Sequence, residues 1–407
     1  MIHYVPSDAA LSAVITNAGD TVLLATGVTF SASAVPASLL SPDNVTLGYF
    51  GTGAKPIISG GTVRSDWTFD AGNNVYSRPA YSVGTTLGNV VEDGVPMKFV
   101  AWNTNIATTA AAMVGGQSLP AWSGSMTFDP TSRIVYIRPS AGVAGDHQYI
   151  VSDNGTASGN GLSNSTASRG LAIDGVEVRH ASRHGILLYA KTDLTIQDTD
   201  LQFIGGAKPS TLYMGNGVEL SYGCHGAQVL RCAARDIFDT GFTTQLYEGT
   251  IQFLSSGYYE ACVVERFGMH GVEVSVQTAN QFINDVEING VTGADAGTYS
   301  WAGNRNGALI TCLSNSVNSS RVTRVFARNV IGSRMNRLYL GFQHGGLCGI
   351  EDSSATGTYG QSPTSSANGA TNHRDLWRNV TDNLGAPSGG AWSQVSAELR
   401  RNFLGVV

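Results

Sequence analysis

A short pattern of polar and apolar positions returns at intervals of about 24 to 36 residues between residues 184 and 342. Each copy is a polar turn residue, a glycine and a strand in which inward and outward positions alternate. The full copies are His184–Tyr189, Asn216–Ser221, Thr240–Gln245, His270–Ser275 and Asn306–Thr311, and a sixth at 336–341 lacks the glycine. A repeat with a constant core and variable loops predicts a solenoid of stacked coils.

Aligning the copies on their glycines sorts the side chains into columns. The column after the glycine is apolar throughout: Ile186, Val218, Phe242, Val272, Ala308 and Leu338. The column two places later is also apolar, except at Thr244. The column between them is mixed and is predicted to face outward: Leu187, Glu219, Thr243, Glu273, Leu309 and Tyr339. Further short strands between the copies give about three strands per coil, so the sequence predicts an all-β parallel β-helix.

The chain divides into four segments according to whether this repeat is present. Residues 1–61 hold the N-terminal cap and first coils, with a helix that begins after Ser7, runs to Ile15 and closes the open end. Residues 62–150 break the rhythm and are predicted to be a β-rich insertion, in which Trp67, Trp102 and Trp122 form a small core or, alternatively, stack on sugars. Residues 151–350 are the main β-helix. Residues 351–407 form a C-terminal cap or oligomerisation tail, with short helical pieces at 375–379 and 393–401.

The segment Gly19–Phe30 contains Gly-Asp-Thr and an apolar run behind the predicted helix. It resembles the first coil of the pectate-lyase-like superfamily of right-handed parallel β-helix proteins, which includes polysaccharide lyases, glycoside hydrolases and phage tailspike depolymerases. The resemblance implies a right-handed parallel β-helix with an N-terminal capping helix. It also implies a polysaccharide substrate, and an assembly that is a homotrimer or a monomer. The calcium-binding carboxylates and the arginine motif of pectate lyases are not recognisable, so no cofactor is expected, or calcium if the protein is a lyase.

The net charge, the apolar stretches and the first residues limit the binding partners and the location expected for this protein. The net charge of −6 disfavours a nucleic-acid partner, and no apolar stretch is long enough to predict membrane insertion. The first residues show no signal peptide, so we expect an extracellular or virion-associated protein that either has lost a secretory segment or leaves its cell by another route, such as lysis by a phage. The five cysteines have no metal-ligand spacing and are predicted to be small core or turn residues rather than a disulfide or a metal site.

Loop lengths place a groove on one side of the solenoid. Long loops at 205–215 and 293–305 flank two coils with short turns, and long loops on a rigid scaffold often carry binding residues. The residues predicted to bind substrate on the walls and floor of this groove are Tyr213, Tyr299, Trp301, Arg305, Gln245, Tyr247 and Arg266.

The predicted catalytic residues are acids of the outward column and its corner. Glu273 and Glu219 lie two coils apart, so their backbones should be roughly 10 Å apart, close to the roughly 6.5 to 9.5 Å between the carboxyl groups of inverting glycosidases. Asp239 is the alternative partner of Glu273, and His270 stands at the same corner. The competing interpretation is that these acids are solvated charges and that His184 and His270 are turn residues.

These residues predict a polysaccharide depolymerase, either a glycoside hydrolase or a lyase. A lyase would need a base and cations beside a uronate carboxyl, for which Arg266, His270, Tyr247 and Arg235 are available. The alternatives are a uronate epimerase and a non-catalytic glycan-binding spike.

Overall fold

The computed structural model describes residues 1–79, 87–100, 102–113, 124–153, 159–206, 215–246, 252–276, 281–297, 308–314, 321–334, 337–342, 347–356 and 374–382. In these residues the chain winds through stacked coils whose strands pair in parallel with their counterparts in the next coil. The all-β parallel β-helix predicted from the sequence is confirmed.

The strands stack into three parallel sheets. Sheet 1 consists, in stacking order, of Ile2–Val5, Thr21–Ala25, Thr46–Phe50, Ala172–Asp174, Thr195–Gln197, Gln228–Leu230, Gln252–Glu260, Gln281–Asn289, Arg321–Arg328, Leu347–Thr356 and Arg374–Asp382. Sheet 2 consists of Thr29–Ser31, Ile57–Ser59, Glu177–Arg179, Asp200–Ile204, Ala233–Ile237, Val263–Phe267, Thr292–Ala296 and Ile331–Ser333, and it ends on the last residues of Leu347–Thr356. Sheet 3 consists of Leu162–Asn164, Ile186–Leu188, Val218–Leu220, Phe242–Leu246, His270–Val276, Ala308–Ser314 and Arg337–Phe342. Ser168–Arg169 and Lys191–Thr192 form a short additional pair.

One continuous apolar core runs through the coils. Ile186, Val218 and Val272 of sheet 3 are fully buried in it, as the predicted columns require. Thr244, the polar member of its column, is also fully buried, and its hydroxyl is 2.6 Å from that of Tyr259. The hydrogen bond between these two hydroxyls removes most of the cost of burying them.

The predicted register is wrong at the fifth and sixth copies. Glu273 pairs with Thr311 and not with Leu309, and Ala308 then pairs with Arg337. Leu309 therefore does not belong to the outward column but to the main core. The physical reason is space, because a Cβ on either Gly271 or Gly293 would overlap the Leu309 side chain.

The glycine that begins most copies is explained by close approach between coils. A Cβ placed on Gly185 would lie 2.6 Å from the carbonyl oxygen of Gly217, and one on Gly241 would lie 2.8 Å from that of Gly271. Neither glycine has a left-handed backbone conformation. The repeat therefore needs glycine because a larger residue would force neighbouring coils apart, not because of the turn itself.

The N-terminal helix is shorter than predicted and spans Asp8–Ser12, with the Ser7 side chain accepting a hydrogen bond from the Ala10 amide. Leu11 and Val14 join the main core, whereas Ile15 is exposed. A strand that sequence reasoning missed, Ile2–Val5, precedes the helix and extends sheet 1. A capping role for the helix stays a prediction.

Where the structure describes it, the insertion contains two small sheets and one short helix, Ile106–Ala110. The four-stranded sheet consists of Val95–Pro96, Val90–Glu92, Tyr149–Val151 and Thr62–Arg64. The five-stranded sheet consists of Lys98–Phe99, Ser125–Asp129, Ile134–Arg138, Val75–Pro79 and Thr68–Asp70. Short 3-10 helices lie at Ala32–Ala34 and Ala144–Asp146. Trp67 packs against the apolar core of the insertion and Trp102 stacks on Tyr136, as a small-core role requires, while Trp122 lies outside the described residues.

The C-terminal part differs from the prediction at one place. Residues 374–382 form a parallel strand on Leu347–Thr356, so a helical piece at 375–379 is wrong. Residues 393–401 lie outside the described part. Cys224, Cys232, Cys262 and Cys312 are buried free thiols, in agreement with a core role, and the side chain of Cys348 lies outside the description. Among the described residues, no helix has the length and apolar character that crossing a membrane would demand.

Candidate active site

The predicted acids lie on the outward face of sheet 3, but that face is buried. Cα pairing places Glu219 beside Thr243 and Thr243 beside Glu273, so the two glutamates are two coils apart as predicted. Glu219 is completely buried and Glu273 is 7% exposed. The interpretation of this column as solvated charges is therefore wrong, and Glu219 is not exposed at the edge of the predicted groove floor.

A chain of hydrogen bonds joins the two glutamates through the residues that precede the glycines. Asn216 Nδ2 donates to Glu219 Oε2 at 2.9 Å, and the backbone amide of Thr240 donates to Asn216 Oδ1 at 3.2 Å. The Thr240 hydroxyl then donates to Glu273 Oε2 at 3.1 Å. Asn216 and Thr240 are both buried. The carboxyl groups are thus held by neutral donors from the corner between sheets 2 and 3.

Glu219 is incompletely satisfied within the described part of the chain. Its Oε2 accepts a hydrogen bond from the Asn216 side-chain amide and lies 3.1 Å from His184 Nδ1. Its Oε1 has no hydrogen-bond partner among the described residues. The hydroxyl of neighbouring Thr243 is also buried without a hydrogen-bond partner among the described residues. Buried polar atoms that lack partners are rare in folded proteins and costly, which sets this column apart from an ordinary β-helix face.

The two corner histidines are both part of the buried polar cluster. Burial lowers the pKa of His184. Its Nδ1 accepts a hydrogen bond from the backbone amide of Asn216 at 3.3 Å. His270, which was predicted to be catalytic, is 4% exposed, and its Nδ1 lies 2.8 Å from the Thr311 hydroxyl. The register shift at the fifth copy is what brings Thr311 to this position. Both histidines are therefore bonded within the cluster, but His270 is the first residue of the strand His270–Val276 and not a turn residue.

The remaining predicted residues divide into three groups. Asp239, which is 9% exposed, directly precedes Thr240 and so lies one coil away from Glu273. Arg266 forms a two-pronged ion pair with Asp236, with nitrogen to oxygen distances of 2.6 and 2.9 Å. Gln245 is half-buried on the sheet 3 strand. Five predicted residues lie outside the described part of the chain: Tyr213, Tyr247, Tyr299, Trp301 and Arg305.

Sequence reasoning missed Asn216 and Thr240 as members of the site. Asn216 was interpreted as a turn residue, and Thr240 only as the start of a copy. The signal was present in the repeat, because polar side chains precede the glycine in successive coils: Asn160, His184, Asn216, Thr240 and His270. A stacked column of polar groups at a buried corner must form hydrogen bonds within itself.

The site offers carboxyl chemistry. No three His, Cys, Asp or Glu side chains converge as a metal site requires, within the residues that the structure describes. Two acids on adjacent coils, Asp239 and Glu273, each keep a small exposed fraction. Two carboxyl groups can act as a general acid and as a base or nucleophile when a glycosidic bond lies between them.

The solved structures that resemble this chain do so distantly. No protein-family model matches the chain, and no curated protein matches its sequence. A solved structure described as a glycoside hydrolase has 11% identity and a TM-score of 0.46, with 98% of this chain and 94% of that chain covered. An alginate lyase from Paenibacillus sp. str. FPU-7 has 10% identity and a TM-score of 0.41, over 94% and 99% of the two chains. The A-module of the mannuronan C-5 epimerase AlgE4 of Azotobacter vinelandii has 13% identity and a TM-score of 0.39, over 92% and 91%.

Proposed function

We propose that this protein is a glycoside hydrolase that cleaves a polysaccharide with Glu273 and Asp239. The observation that carries the proposal is burial: on adjacent coils beside the buried polar cluster, Asp239 is 9% and Glu273 7% exposed, whereas Glu219 is not exposed at all. Glycoside hydrolysis needs two carboxyl groups on opposite sides of the scissile bond. Glu219 is completely buried, so it supports the cluster from behind rather than touching a sugar.

The surroundings of Glu273 favour one distribution of roles. The Thr240 hydroxyl donates a hydrogen bond to Glu273 Oε2, and a donor of this kind stabilises the ionised carboxylate. Glu273 is then the base or nucleophile, and Asp239 is the general acid that protonates the leaving oxygen as the glycosidic bond breaks. The distance between the two carboxyl groups in the substrate complex decides whether the anomeric configuration is inverted or retained.

The first prediction concerns Glu273. Glu273→Gln keeps the shape of the side chain but removes its basicity, so kcat should fall by about 100-fold or more while glycan affinity changes little. The matched control is Glu265→Gln, because Glu265 pairs with Arg235 on sheet 2 and is partly exposed. Reducing-end release from a panel of neutral and acidic glycans measures both variants. Full activity in Glu273→Gln would remove this residue from the mechanism.

The products of the same panel separate the alternatives. A hydrolase adds water and leaves saturated ends, whereas a lyase leaves an unsaturated sugar that absorbs ultraviolet light. A uronate epimerase changes stereochemistry without shortening the chain. Binding without turnover, unaffected by Glu273→Gln, would identify a non-catalytic glycan-binding spike.

The biological setting belongs to the proposal as well. We propose that the protein acts outside the cell or on a virion, as tailspike depolymerases do, on a polysaccharide of a cell surface. A monomer or a homotrimer remains the predicted assembly.

A further inference from the structure

Near the end of the insertion, one histidine fastens a connecting segment to the turn of a hairpin. The connecting segment consists of residues 139–148 and links the strand Ile134–Arg138 of the five-stranded sheet to the strand Tyr149–Val151 of the four-stranded sheet. The hairpin turn consists of Asp93 and Gly94, which both have left-handed backbones, as a tight two-residue turn requires. His147 bonds this turn from the connecting segment and so ties the segment to the four-stranded sheet.

Both ring nitrogens of His147 face groups that only accept hydrogen bonds. Nδ1 lies 2.7 Å from Asp93 Oδ2, and Nε2 lies 2.7 Å from the carbonyl oxygen of Ala141. The bond with His147 holds the pKa of Asp93 below its ordinary value, so this carboxyl group is ionised at neutral pH. A neutral imidazole has one N–H and satisfies one acceptor, whereas an imidazolium donates to both. The geometry therefore requires a protonated His147.

The other groups around the ring are consistent with a positive charge. Glu92 Oε1 lies 3.7 Å from Nδ1 of His147, and it accepts a hydrogen bond from the Tyr149 hydroxyl at 2.9 Å. The bonds with Asp93 and Ala141, with the charge of Glu92 as a smaller cause, raise the pKa of His147, although burial opposes them. The His147 side chain is 15% exposed, so the ring can exchange its proton with solvent.

We propose that His147 is a proton-dependent clasp: as an imidazolium it holds the connecting segment on the hairpin turn, and loss of its proton releases the segment. This inference is independent of the proposed function. A neutral ring would turn a nitrogen lone pair towards either the Asp93 carboxylate or the Ala141 carbonyl oxygen, and that contact is repulsive. The Gln148 amide donates to Asp93 Oδ1 at 2.8 Å, and the Asp93 amide donates to the Gln148 carbonyl oxygen. These two bonds adjoin the clasp and should weaken when it opens.

The experiment follows the proton and the segment separately in the full chain. Nitrogen-15 NMR with labelled histidine reports the protonation of each ring, and His147→Asn identifies the signals of His147. We expect both of its nitrogens to be protonated at about pH 6 and its titration midpoint to lie above about pH 6.5. Hydrogen exchange, corrected for the intrinsic rate at each pH, should show residues 140–148 protected below this midpoint. Well above it their protection should fall about tenfold for each pH unit by which the midpoint is raised, while the distant coils keep theirs.

Two carboxylate variants provide a matched comparison. Asp93→Asn removes the charge that holds the proton, and asparagine tolerates the left-handed backbone at this position. Its titration midpoint should fall by about one pH unit or more. Asp146→Asn is the control, because Asp146 directly precedes His147 but accepts its hydrogen bond from the Val143 amide at 3.3 Å. The midpoint should hardly move in this variant. His147→Asn should leave residues 140–148 poorly protected at every pH.

Four results would overturn the inference. An unprotonated ring nitrogen of His147 at about pH 6 would show that the ring does not donate to both acceptors. Constant protection of residues 140–148 through the midpoint would show that loss of the proton does not release the segment. Equal shifts in Asp146→Asn and Asp93→Asn would indicate a general effect of charge. An equal loss of protection in the distant coils would indicate global unfolding instead of local release. The wild type alone decides three of these outcomes, so the test does not depend on the folding of any variant.

Discussion

At the scale of single residues, the buried histidines make stability depend on pH. His180 is 4% exposed and stacks on Phe203 with ring centroids 5.0 Å apart. Burial, with the Arg179 charge as a smaller cause, lowers the pKa of His180 to about 3. The pKa of His147 is shifted the opposite way, because its ring nitrogen bonds the Asp93 carboxylate at 2.7 Å. One histidine is therefore stabilised when neutral and the other when charged.

These opposite shifts predict opposite effects of acid. Below pH about 6.5 the unfolded chain binds a proton at His180 that the folded chain rejects, so stability should fall by about 1.4 kcal/mol per pH unit towards pH 3. His180→Asn, which tolerates the left-handed backbone there, should flatten this slope. The contribution of His147 is fully present below about pH 6.5 and is lost as pH rises through its raised pKa. His147→Asn should therefore lower stability by a constant amount below about pH 6.5 and by progressively less at higher pH. Urea unfolding between about pH 5 and 8 measures both variants, and the same pH dependence in all three proteins would contradict the prediction.

At the scale of the strand, two adjacent leucines distinguish the inward face of sheet 3 from its outward face. Leu188 points into the main core and is completely buried, whereas Leu187 is 6% exposed on the opposite face. Leu187 belongs to none of the three apolar clusters formed by the described residues. Low exposure by itself does not distinguish these two positions. The difference lies in what each side chain packs against.

Leu188→Ala should destabilise the protein by about 2 to 5 kcal/mol, because a rigid core cannot close the cavity. Leu187→Ala should cost clearly less, since the outer face lacks a continuous apolar surround. The two substitutions are identical in chemistry and adjacent in sequence, so intrinsic strand propensity cancels between them. Chemical denaturation measures the difference, and equal losses would show that both faces of the strand are packed alike.

At the scale of the whole molecule, Asn89 fastens the insertion to the solenoid. Its side-chain amide donates to the carbonyl oxygens of Phe203 and Gly205, each at 2.8 Å, and its Oδ1 accepts the Ser152 hydroxyl at 3.1 Å. The Asn89 backbone amide also donates to Gly205. A residue of the insertion thus completes the hydrogen bonding at the end of a sheet 2 strand.

Asn89→Ala should cost about 1 to 3 kcal/mol, because it leaves buried carbonyl oxygens without their side-chain donor. The backbone bond survives, so the insertion should loosen rather than separate. Hydrogen exchange should increase in residues 87–99 and around 203–206 more than in the distant coils. Asn73→Ala is the control, since the Asn73 side chain bonds Asp70 within a turn of the insertion, and the bond from Arg138 goes to the Asn73 backbone carbonyl, which the substitution keeps. A uniform increase across the chain would mean that Asn89 supports global stability instead.

The sequence by itself determined the coil repeat and the inward columns. An inward position such as Val272 must be apolar in every coil, so its column is visible without a structure. The glycine of the five full copies was also recognisable in the sequence. The reason for it, close contact with a carbonyl group of the next coil, was recognisable only in the structure. A repeated residue type is enough to predict such positions, because every coil needs the same kind of residue there to stack on the next coil.

The tertiary structure decided the register at the fifth copy, the burial of the acids and the hydrogen bonds of the corner. The pairing of Glu273 with Thr311 depends on the space that Leu309 fills beside two glycines of other strands. Glu219 and Glu273 resemble outward charges in the sequence, since polar residues are expected on that face. Their burial and their connection through Thr240 depend on residues that meet only when the coils stack. A pattern along one strand records which side chains point outward, but it does not record what the folded chain places over them.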